Sequence, residues 1–199
     1  MQTLDVRCER VDDAVEEVAR VIFAGGTVVY PDETGYVVAG DPQRAQAVAR
    51  VYRAAGTSAQ SRVTLCVAST SEFLEFARDN PLAILASKRL LPAPVVMIVR
   101  RPAFFGEAQT AGRLTIGLRV PQDPLAGAIL ERCGPLMSCS VDHAALPTAD
   151  LVVERGEIGG GVETSVVDLT GARARLLREG AVPFDRLVSR LGPIDRQHK

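Results

Sequence analysis

The sequence predicts an α/β protein built on an open, twisted, mixed β-sheet that is flanked by helices. Amphipathic helical patterns alternate with short apolar runs of strand length over the first two-thirds of the chain, and strand-length runs cluster afterwards. The 199 residues, 47% of them hydrophobic, are enough for a sizeable core. No repeat, low-complexity tract or linker interrupts them. We therefore expect a single domain over residues 1–199.

The first part of the chain predicts an edge strand, a helix and a buried strand. Residues 4–8 suit the edge strand, and residues 11–22 carry apolar side chains at helical spacing. Two glycines then end the helix, and residues 27–30 form a β-branched and aromatic run that predicts a buried strand. Pro31 cannot donate to a strand ladder, so we expect pairing to end there. Residues 32–35 should form a polar loop at the carboxyl end of this strand, where open α/β sheets bind ligands.

Three later helices are predicted by a capping side chain placed before a proline at the first helical position. These pairs are Asp41-Pro42, Asn80-Pro81 and Asp123-Pro124. The first helix is expected to end at Gly56 and to bury Ala45, Val48, Ala49 and Tyr52. Shorter helices are predicted over residues 71–78 and 183–191.

The remaining apolar runs predict strands, and one irregular stretch predicts a loop. Residues 104–113 hold two glycines and are the best candidate for a mobile loop. The predicted strands cover residues 63–67, 95–99, 114–120, 136–140, 151–153, 165–169 and 175–177.

Composition limits the classes of function. The 23 basic and 24 acidic residues nearly cancel, which argues against a strongly basic nucleic-acid-binding surface. The longest apolar region, residues 82–99, is broken by charges and prolines, so no membrane span is expected. No signal peptide is predicted, and we expect a cytoplasmic protein without a zinc site, because neither the cysteines nor the histidines have a zinc spacing. The cysteines are expected to be free thiols: Cys8, Cys66, Cys133 and Cys139.

A motif around the first buried strand resembles the YrdC-like family. The family pattern is a strand followed by Pro-Thr-(Asp/Glu)-Thr-x-Tyr-Gly-Leu, and residues 31–38 read Pro-Asp-Glu-Thr-Gly-Tyr-Val-Val. Further matches follow in chain order. They include residues 92–96, the Arg-x-Pro segment at 119–121, residues 135–142, residues 161–168, and Leu-Arg-x-Gly at 177–180. The resemblance covers about residues 18–181.

The resemblance implies an activity and its ligands. The best-known members of the family make threonylcarbamoyl-adenylate from threonine, bicarbonate and ATP with Mg²⁺, on the route to a modified adenosine in tRNA. By resemblance, a substrate site would use Asp32, Thr34, Tyr36, Arg119, Ser138, Thr164 and Ser165. A nucleotide site would use Ser140, Asp142 and Arg178.

The residues also allow simpler interpretations. Arg119 ends a strand before a proline, so its guanidinium could grip a carboxylate bidentately or form an ordinary salt bridge. Ser138 and Ser140 alternate on one strand face and could donate hydroxyls to a ligand, or mark a polar strand end. Thr164 follows a glycine-rich turn at 159–161 that could cradle an anion. Arg178 could contact a phosphate or pair with an acid such as Glu179.

Departures from the family pattern leave the function open. Where the family has Lys-x-Arg, this chain has Ala55 and Thr57, and it has Asp32 and Asp142 where the family has Thr and Asn. The lost cations would stabilise charge on a triphosphate, and such stabilisation is usually the largest catalytic contribution. Arg53 or Arg62 could compensate. The alternatives are therefore an active nucleotidyltransferase, an impaired or repurposed module that binds a nucleotide, a small ligand or double-stranded RNA, or a cytosolic α/β protein whose similarity to the family is only architectural.

Overall fold

The computed structural model describes residues 2–7, 10–55, 63–142, 144, 146–156, 158 and 162–196, and every strand in these ranges belongs to one mixed sheet. The strands are β1 Gln2–Asp5, β2 Thr27–Asp32, β3 Gly35–Gly40, β4 Thr64–Cys66, β5 Val95–Arg100, β6 Thr115–Arg119, β7 Leu136–Val141, β8 Leu151–Glu154, β9 Ser165–Asp168, β10 Arg175–Arg178 and β11 Asp195–Arg196. The helices are α1 Val11–Phe23, α2 Ala45–Ala55, α3 Thr70–Ala77, α4 Pro81–Leu90, α5 Glu107–Thr110, α6 Pro124–Cys133 and α7 Phe184–Leu191.

The strand order is β1-β8-β2-β3-β7-β4-β6-β5-β9-β10-β11. Neighbours pair parallel at β1/β8, β8/β2, β4/β6, β5/β9 and β10/β11, and antiparallel elsewhere. The predicted fold class, a mixed sheet with flanking helices, is confirmed. Residues far apart in sequence become neighbours, because β4 pairs with β7 and β5 pairs with β9.

Two of the predicted Asx-Pro helix starts are confirmed and one is wrong. The Asn80 carboxamide oxygen accepts from the backbone N–H groups of Leu82 and Ala83, and Asp123 caps α6 in the same way. Asp41 instead stabilises a turn by accepting from the Gln43 N–H, and α2 begins only at Ala45.

The face that α2 buries also differs from the prediction. Ala47, Val48 and Val51 are buried, whereas Ala45 and Ala49 are exposed. The helix packs against Gly40 at the end of β3, where a Cβ atom would lie 3.0 Å from Cβ of Ala47 and 3.6 Å from Cγ2 of Val51, so these positions face the sheet. The predicted end at Gly56 lies outside the described residues.

The first hairpin overturns a second expectation. Pairing continues through Pro31, which lies opposite Tyr36, and the expected polar loop is a tight turn into β3, a strand that the sequence did not predict. Proline is tolerated because β8 pairs only with Val28 and Val29, so β2 has one neighbour at Pro31. The predicted loop at 104–113 contains the short helix α5.

Alternate residues of each central strand enter two different hydrophobic clusters. One cluster contains Val29 and Val38 and is covered by α2, α3, α4 and α7, and the other contains Val28 and Val37 and is covered by α1 and α6. Helices α1 and α6 lie over β2 and its neighbours. The same face of β4, β5, β6 and β9 therefore remains open, and a cavity forms above it. Within the described ranges, no helix is both long and apolar enough to cross a bilayer.

Candidate active site

A cavity of about 370 Å³ lies on the open face of the sheet. Five of the ten residues predicted for the site line it, and they come from well-separated parts of the chain: Arg119, Ser138, Ser140, Thr164 and Arg178. The strands that carry or adjoin them are consecutive in the sheet, running from β3 and β7 through β4, β6, β5 and β9 to β10. The structure thus brings these five residues together, while their roles stay predictions.

The floor of the cavity is apolar. Val96 and Ile98 on β5 and Val166 on β9 line it, and they alternate with the core residues Val95, Met97 and Val167. Gly117 on the adjacent strand leaves room for the Val96 side chain, because a Cβ atom at Gly117 would lie 2.8 Å from Cγ1 of Val96. The arrangement can accept a flat, weakly polar group between two polar ends.

Arg119 forms one end of the cavity and is held by two carboxylates. Its Nη1 donates to Oδ2 of Asp32 at 2.9 Å, and its Nη2 lies 2.8 Å from Oε1 of Glu33. Burial by itself lowers the pKa of Arg119, but the charges of Asp32 and Glu33 outweigh burial and raise that pKa above its ordinary value. The guanidinium is therefore permanently charged and already paired.

Both carboxylates are fixed by other groups. Oδ1 of Asp32 accepts from the backbone N–H of Thr34 at 2.6 Å and from its hydroxyl at 2.7 Å. The carboxylate of Glu33 accepts from the backbone N–H groups of Gln122 and Asp123 at 3.1 and 3.2 Å. Asp32 and Thr34 do not line the cavity, and they act on it through Arg119.

Arg178 forms the opposite end. Its Nε donates to the carbonyl oxygen of Thr164 and its Nη2 to the Thr164 hydroxyl, both at 3.0 Å. Its Nη1 lies 3.0 Å from Oε2 of Glu163, an exposed side chain. Arg178 pairs with Glu163 rather than with Glu179, whose carboxylate instead lies near Arg196.

Ser165 stabilises this end without reaching the cavity. Its buried hydroxyl donates to the carbonyl oxygen of Val182 at 2.6 Å and accepts from the N–H groups of Gly180 and Val182 at 3.0 Å. A Cβ atom on Gly180 would lie only 2.1 Å from the carbonyl oxygen of Glu163, so only glycine allows the two segments to approach this closely.

Tyr36 is also outside the cavity. Its hydroxyl lies within donating distance of two acceptors, the Gly156 carbonyl oxygen at 2.8 Å and the Glu154 carboxylate at 3.2 Å. The same hydroxyl oxygen accepts from the backbone N–H of Arg155 at 2.9 Å. The Arg155 guanidinium in turn pairs with Asp123. Tyr36 therefore ties the first hairpin to β8 and to the start of α6, and burial raises its pKa.

Of the two serines of β7, one is enclosed and one is open. The Ser138 hydroxyl is buried, 3.1 Å from the Cys66 thiol, and burial raises the pKa of that thiol, which favours its protonated form. Ser140 is exposed at the mouth. Asp142 does not line the cavity, and its carboxylate accepts from the N–H of Ala144 at 3.0 Å.

A family model described as "Telomere recombination", the Sua5/YciO/YrdC model, matches residues 20–180. The chain belongs to the Sua5/YciO/YrdC family.

Curated relatives in this family carry two kinds of name. A threonylcarbamoyl-AMP synthase from Pyrococcus abyssi is 26% identical over 94% of this chain and 60% of its own length, and one from Bacillus subtilis is 26% identical over 92% and 58%. The chain thus spans about three-fifths of these relatives. YciO from Escherichia coli, described as uncharacterized, is 26% identical over 83% of this chain and 88% of its own length.

Solved structures show the same fold. A Sua5 variant from Pyrococcus abyssi superposes with a TM-score of 0.88 at 25% identity, over 99% of this chain and 62% of that one. The same organism's Sua5 complexed with L-threonine gives 0.85 at 24%, over 98% and 62%, and E. coli YciO gives 0.78 at 24%, over 90% and 95%. The last two establish the fold alone.

Of the two arginines that could compensate for the missing cations of this Sua5/YciO/YrdC chain, only Arg53 belongs to the described residues. Thr57 and Arg62 lie outside the described residues, as does the 159–161 turn, and Arg53 is exposed on the last turn of α2 without lining the cavity. The sequence missed Arg113, which lines a small adjoining recess with Tyr52 and Gln109. In the sequence, Arg113 is marked only as a basic residue that follows Gly112, and this feature does not distinguish it from other surface arginines.

Elsewhere, the structure offers no competing metal centre among the residues it describes. Within these ranges no group of three or more His, Cys, Asp or Glu side chains could hold a metal ion. Cys66 and Cys133 are free thiols, the Cys139 thiol lies 3.6 Å from the carbonyl oxygen of Val51, and Cys8 lies outside the described residues. A larger cavity of about 490 Å³ near Phe104 contains none of the predicted site residues.

Proposed function

We propose that the cavity binds a nucleotide at the Arg178 end and a small amine at the Arg119 end, and that it joins them in the reaction class of the threonylcarbamoyl-AMP synthases. One observation carries the proposal: Arg119, Ser138, Ser140, Thr164 and Arg178 line a single cavity, in a chain whose relatives include proteins with that name. A cytoplasmic location is part of the proposal, because ATP and reduced thiols are available there.

In this reaction, an amine combines with bicarbonate to give a carbamate and water. A carbamate oxygen then attacks the α-phosphorus of ATP, and pyrophosphate leaves with the electrons of the broken P–O bond. Because the substrates supply the reacting groups, the protein contributes mainly by holding them close and by stabilising charge. Mg²⁺ arriving with ATP would neutralise part of the triphosphate charge.

The residues that line the cavity can hold the two substrates close together and stabilise charge on the triphosphate. Arg178 has a partly exposed guanidinium that can turn from Glu163 to a phosphate, and Ser140 offers a second exposed polar group in the same cavity. The apolar floor formed by Val96, Ile98 and Val166 can pack against a base or ribose. At the other end, Arg119 and its carboxylates provide fixed charge next to the buried Ser138 hydroxyl.

The direct test is an activity assay. The protein is incubated with ATP–Mg²⁺, labelled bicarbonate and a panel of amines that includes L-threonine, and both pyrophosphate and labelled adenylate are measured. We expect both products with at least one amine, and their loss in Arg178→Ala. The variant Arg175→Ala, on the same strand but outside the cavity, is the matched control. Absence of both products with every amine would overturn the proposed reaction.

A second candidate, a binding module with little or no catalysis, is favoured by the two lost cations. Losing a single group that stabilises developing charge costs on the order of a hundredfold in rate. This candidate predicts that ATP binds measurably by calorimetry while no pyrophosphate forms. Binding to double-stranded RNA stays a prediction, which a fluorescence anisotropy titration at low salt tests, because nonspecific binding weakens steeply as salt rises.

A further inference from the structure

We propose that the Arg119 end of the cavity recognises a small amine that carries no carboxylate, and that it discriminates against L-threonine and other α-amino acids. The inference rests on the proposed function for this cavity, and it narrows the class of the second substrate. It follows from how completely Arg119 is engaged by the chain's own acids.

The first step concerns the hydrogen-bond donors of Arg119. A guanidinium binds a free carboxylate strongly when two parallel N–H groups face it as a fork. Here Nη1 is committed to Asp32 and Nη2 to Glu33, at 2.9 and 2.8 Å. Nε is the remaining nitrogen, and it is enclosed by protein without a hydrogen-bond partner. Nη2 also donates to the Thr34 hydroxyl at 3.4 Å, and the N–H groups left over, one on Nη1 and one on Nε, do not form a parallel fork for an incoming carboxylate.

The second step concerns whether a ligand can displace Asp32 or Glu33 from Arg119. Asp32 is held by the N–H and the hydroxyl of Thr34, and Glu33 is held by two backbone N–H groups at the start of α6. Displacing either carboxylate would leave these donors, three of which are partly buried, without their present acceptors, and that loss is unfavourable. A ligand carboxylate would have to pay that cost as well as its own desolvation.

The third step concerns charge. Arg119 contributes one positive charge, and Asp32 and Glu33 contribute two negative charges, so this end of the cavity carries a net charge of −1. Arg119 and Asp32 are almost completely buried, and Coulomb interactions are stronger there than in water. A third carboxylate would be repelled, whereas an ammonium group would be attracted. The neighbouring Ser138 hydroxyl can pair with a neutral hydroxyl group on the same ligand.

The test compares two probes that differ only in the group in question. Calorimetric titrations of the full chain use L-threonine and L-threoninol, in which a hydroxymethyl group replaces the carboxylate. We expect L-threoninol to bind at least tenfold more tightly than L-threonine to the wild-type protein at neutral pH. Equal or tighter binding of L-threonine would overturn the inference, and so would absence of binding by both probes.

A variant tests whether Asp32 causes the discrimination. Asp32→Asn keeps the shape of the side chain and removes one negative charge, so we expect L-threonine affinity to rise about tenfold and the preference for L-threoninol to shrink. Asp13→Asn, an exposed carboxylate on α1, is the matched control and should change neither affinity. An unchanged preference in a folded Asp32→Asn protein would count against the inference, and if that variant does not fold, the wild-type comparison decides alone.

The nucleotide arm separates this inference from the proposed function. The same protein is titrated with ATP–Mg²⁺ and assayed for pyrophosphate release with each amine. Release with L-threoninol and not with L-threonine supports both proposals. Preferential binding of L-threoninol without pyrophosphate supports the inference and overturns the reaction, and release with L-threonine as the better substrate overturns the inference alone.

Discussion

The two ends of the cavity use the same residue type in opposite ways. The Arg119 side chain is 4% exposed and is held by two fixed acids, whereas the Arg178 side chain is 36% exposed and its acid partner, Glu163, is 61% exposed. A buried ion pair is costly to break because its members cannot return to water, but an exposed pair is worth little and exchanges readily. One arginine therefore fixes the shape of the site, and the other is available to a ligand.

The largest expected effect comes from removing the enclosed arginine. Arg119→Ala leaves the carboxylates of Asp32 and Glu33 without their counter-charge, so we expect the free energy of unfolding to fall by about 3–5 kcal/mol. Chemical denaturation measures it. Arg178→Ala is the matched control at the other end and should cost no more than about 1 kcal/mol. Similar losses for the two variants would show that the two ends do not differ as the contacts indicate.

The second effect concerns ligand binding at the exchangeable end. A hydrogen bond to a charged group contributes about 1.5–3 kcal/mol, so Arg178→Ala should weaken ATP binding roughly tenfold to a hundredfold. Glu163→Gln should strengthen it a few-fold, because the guanidinium loses its competing partner. Calorimetric titration with ATP measures both. Arg175→Ala serves as the control, and a Glu163→Gln protein that binds ATP more weakly would contradict the interpretation.

The third effect tests the backbone contact that holds the Arg178 end. Gly180→Ala places a methyl group against the Glu163 carbonyl, so we expect a loss of about 1–3 kcal/mol in unfolding free energy, together with weaker ATP binding. The control is Gly127→Ala inside α6, where a Cβ atom meets nothing within 4 Å. That substitution should stabilise by about 0.5–1 kcal/mol. A neutral Gly180→Ala would mean that the close approach is dispensable.

The smallest effect is a pH dependence at the start of α6. Burial raises the pKa of Asp123, but Arg155 and the capped N–H groups outweigh burial and hold that pKa below its ordinary value. The ionised Asp123 carboxylate therefore stabilises the folded protein fully above its unfolded-state pKa, near 3.8. This stabilisation is lost as pH falls through the lower pKa that Asp123 has in the folded protein. As pH falls from 5 to 3, wild type should lose more unfolding free energy than Asp123→Asn does, as measured by denaturation at each pH. Asp13→Asn should follow wild type.

The sequence predicted most of the secondary structure, and its failures have local causes. The start of α2 was misplaced because Asp41 stabilises a turn instead of a helix, and side chains of its type do both. Strand β3 was missed although Tyr36, Val37 and Val38 favour a strand, because pairing was expected to end at Pro31 and instead continues through it to the turn. The short helix α5 lies in a segment whose composition indicates only a loop.

The site divides in the same way. Hydroxyl and guanidinium groups at Ser138, Ser140, Thr164 and Arg178 could be identified from motif order, and they line the cavity. Ser165 and Tyr36 have the same kinds of polar group, but the fold uses their hydroxyls to bind backbone. Sequence alone does not tell a hydroxyl that faces a ligand from one that satisfies a buried amide.

The sequence by itself determined the class of fold, the order of its motifs and the chemical groups available for a site, because periodicity and capping are local properties. Only the tertiary structure decided that Asp32 and Glu33 form ion pairs with Arg119, while the Arg178 guanidinium stays accessible to a ligand. The physical reason is that charge pairing and burial depend on which distant segments meet. In this chain a segment near residue 32 meets one near residue 119, at the end of an open sheet face.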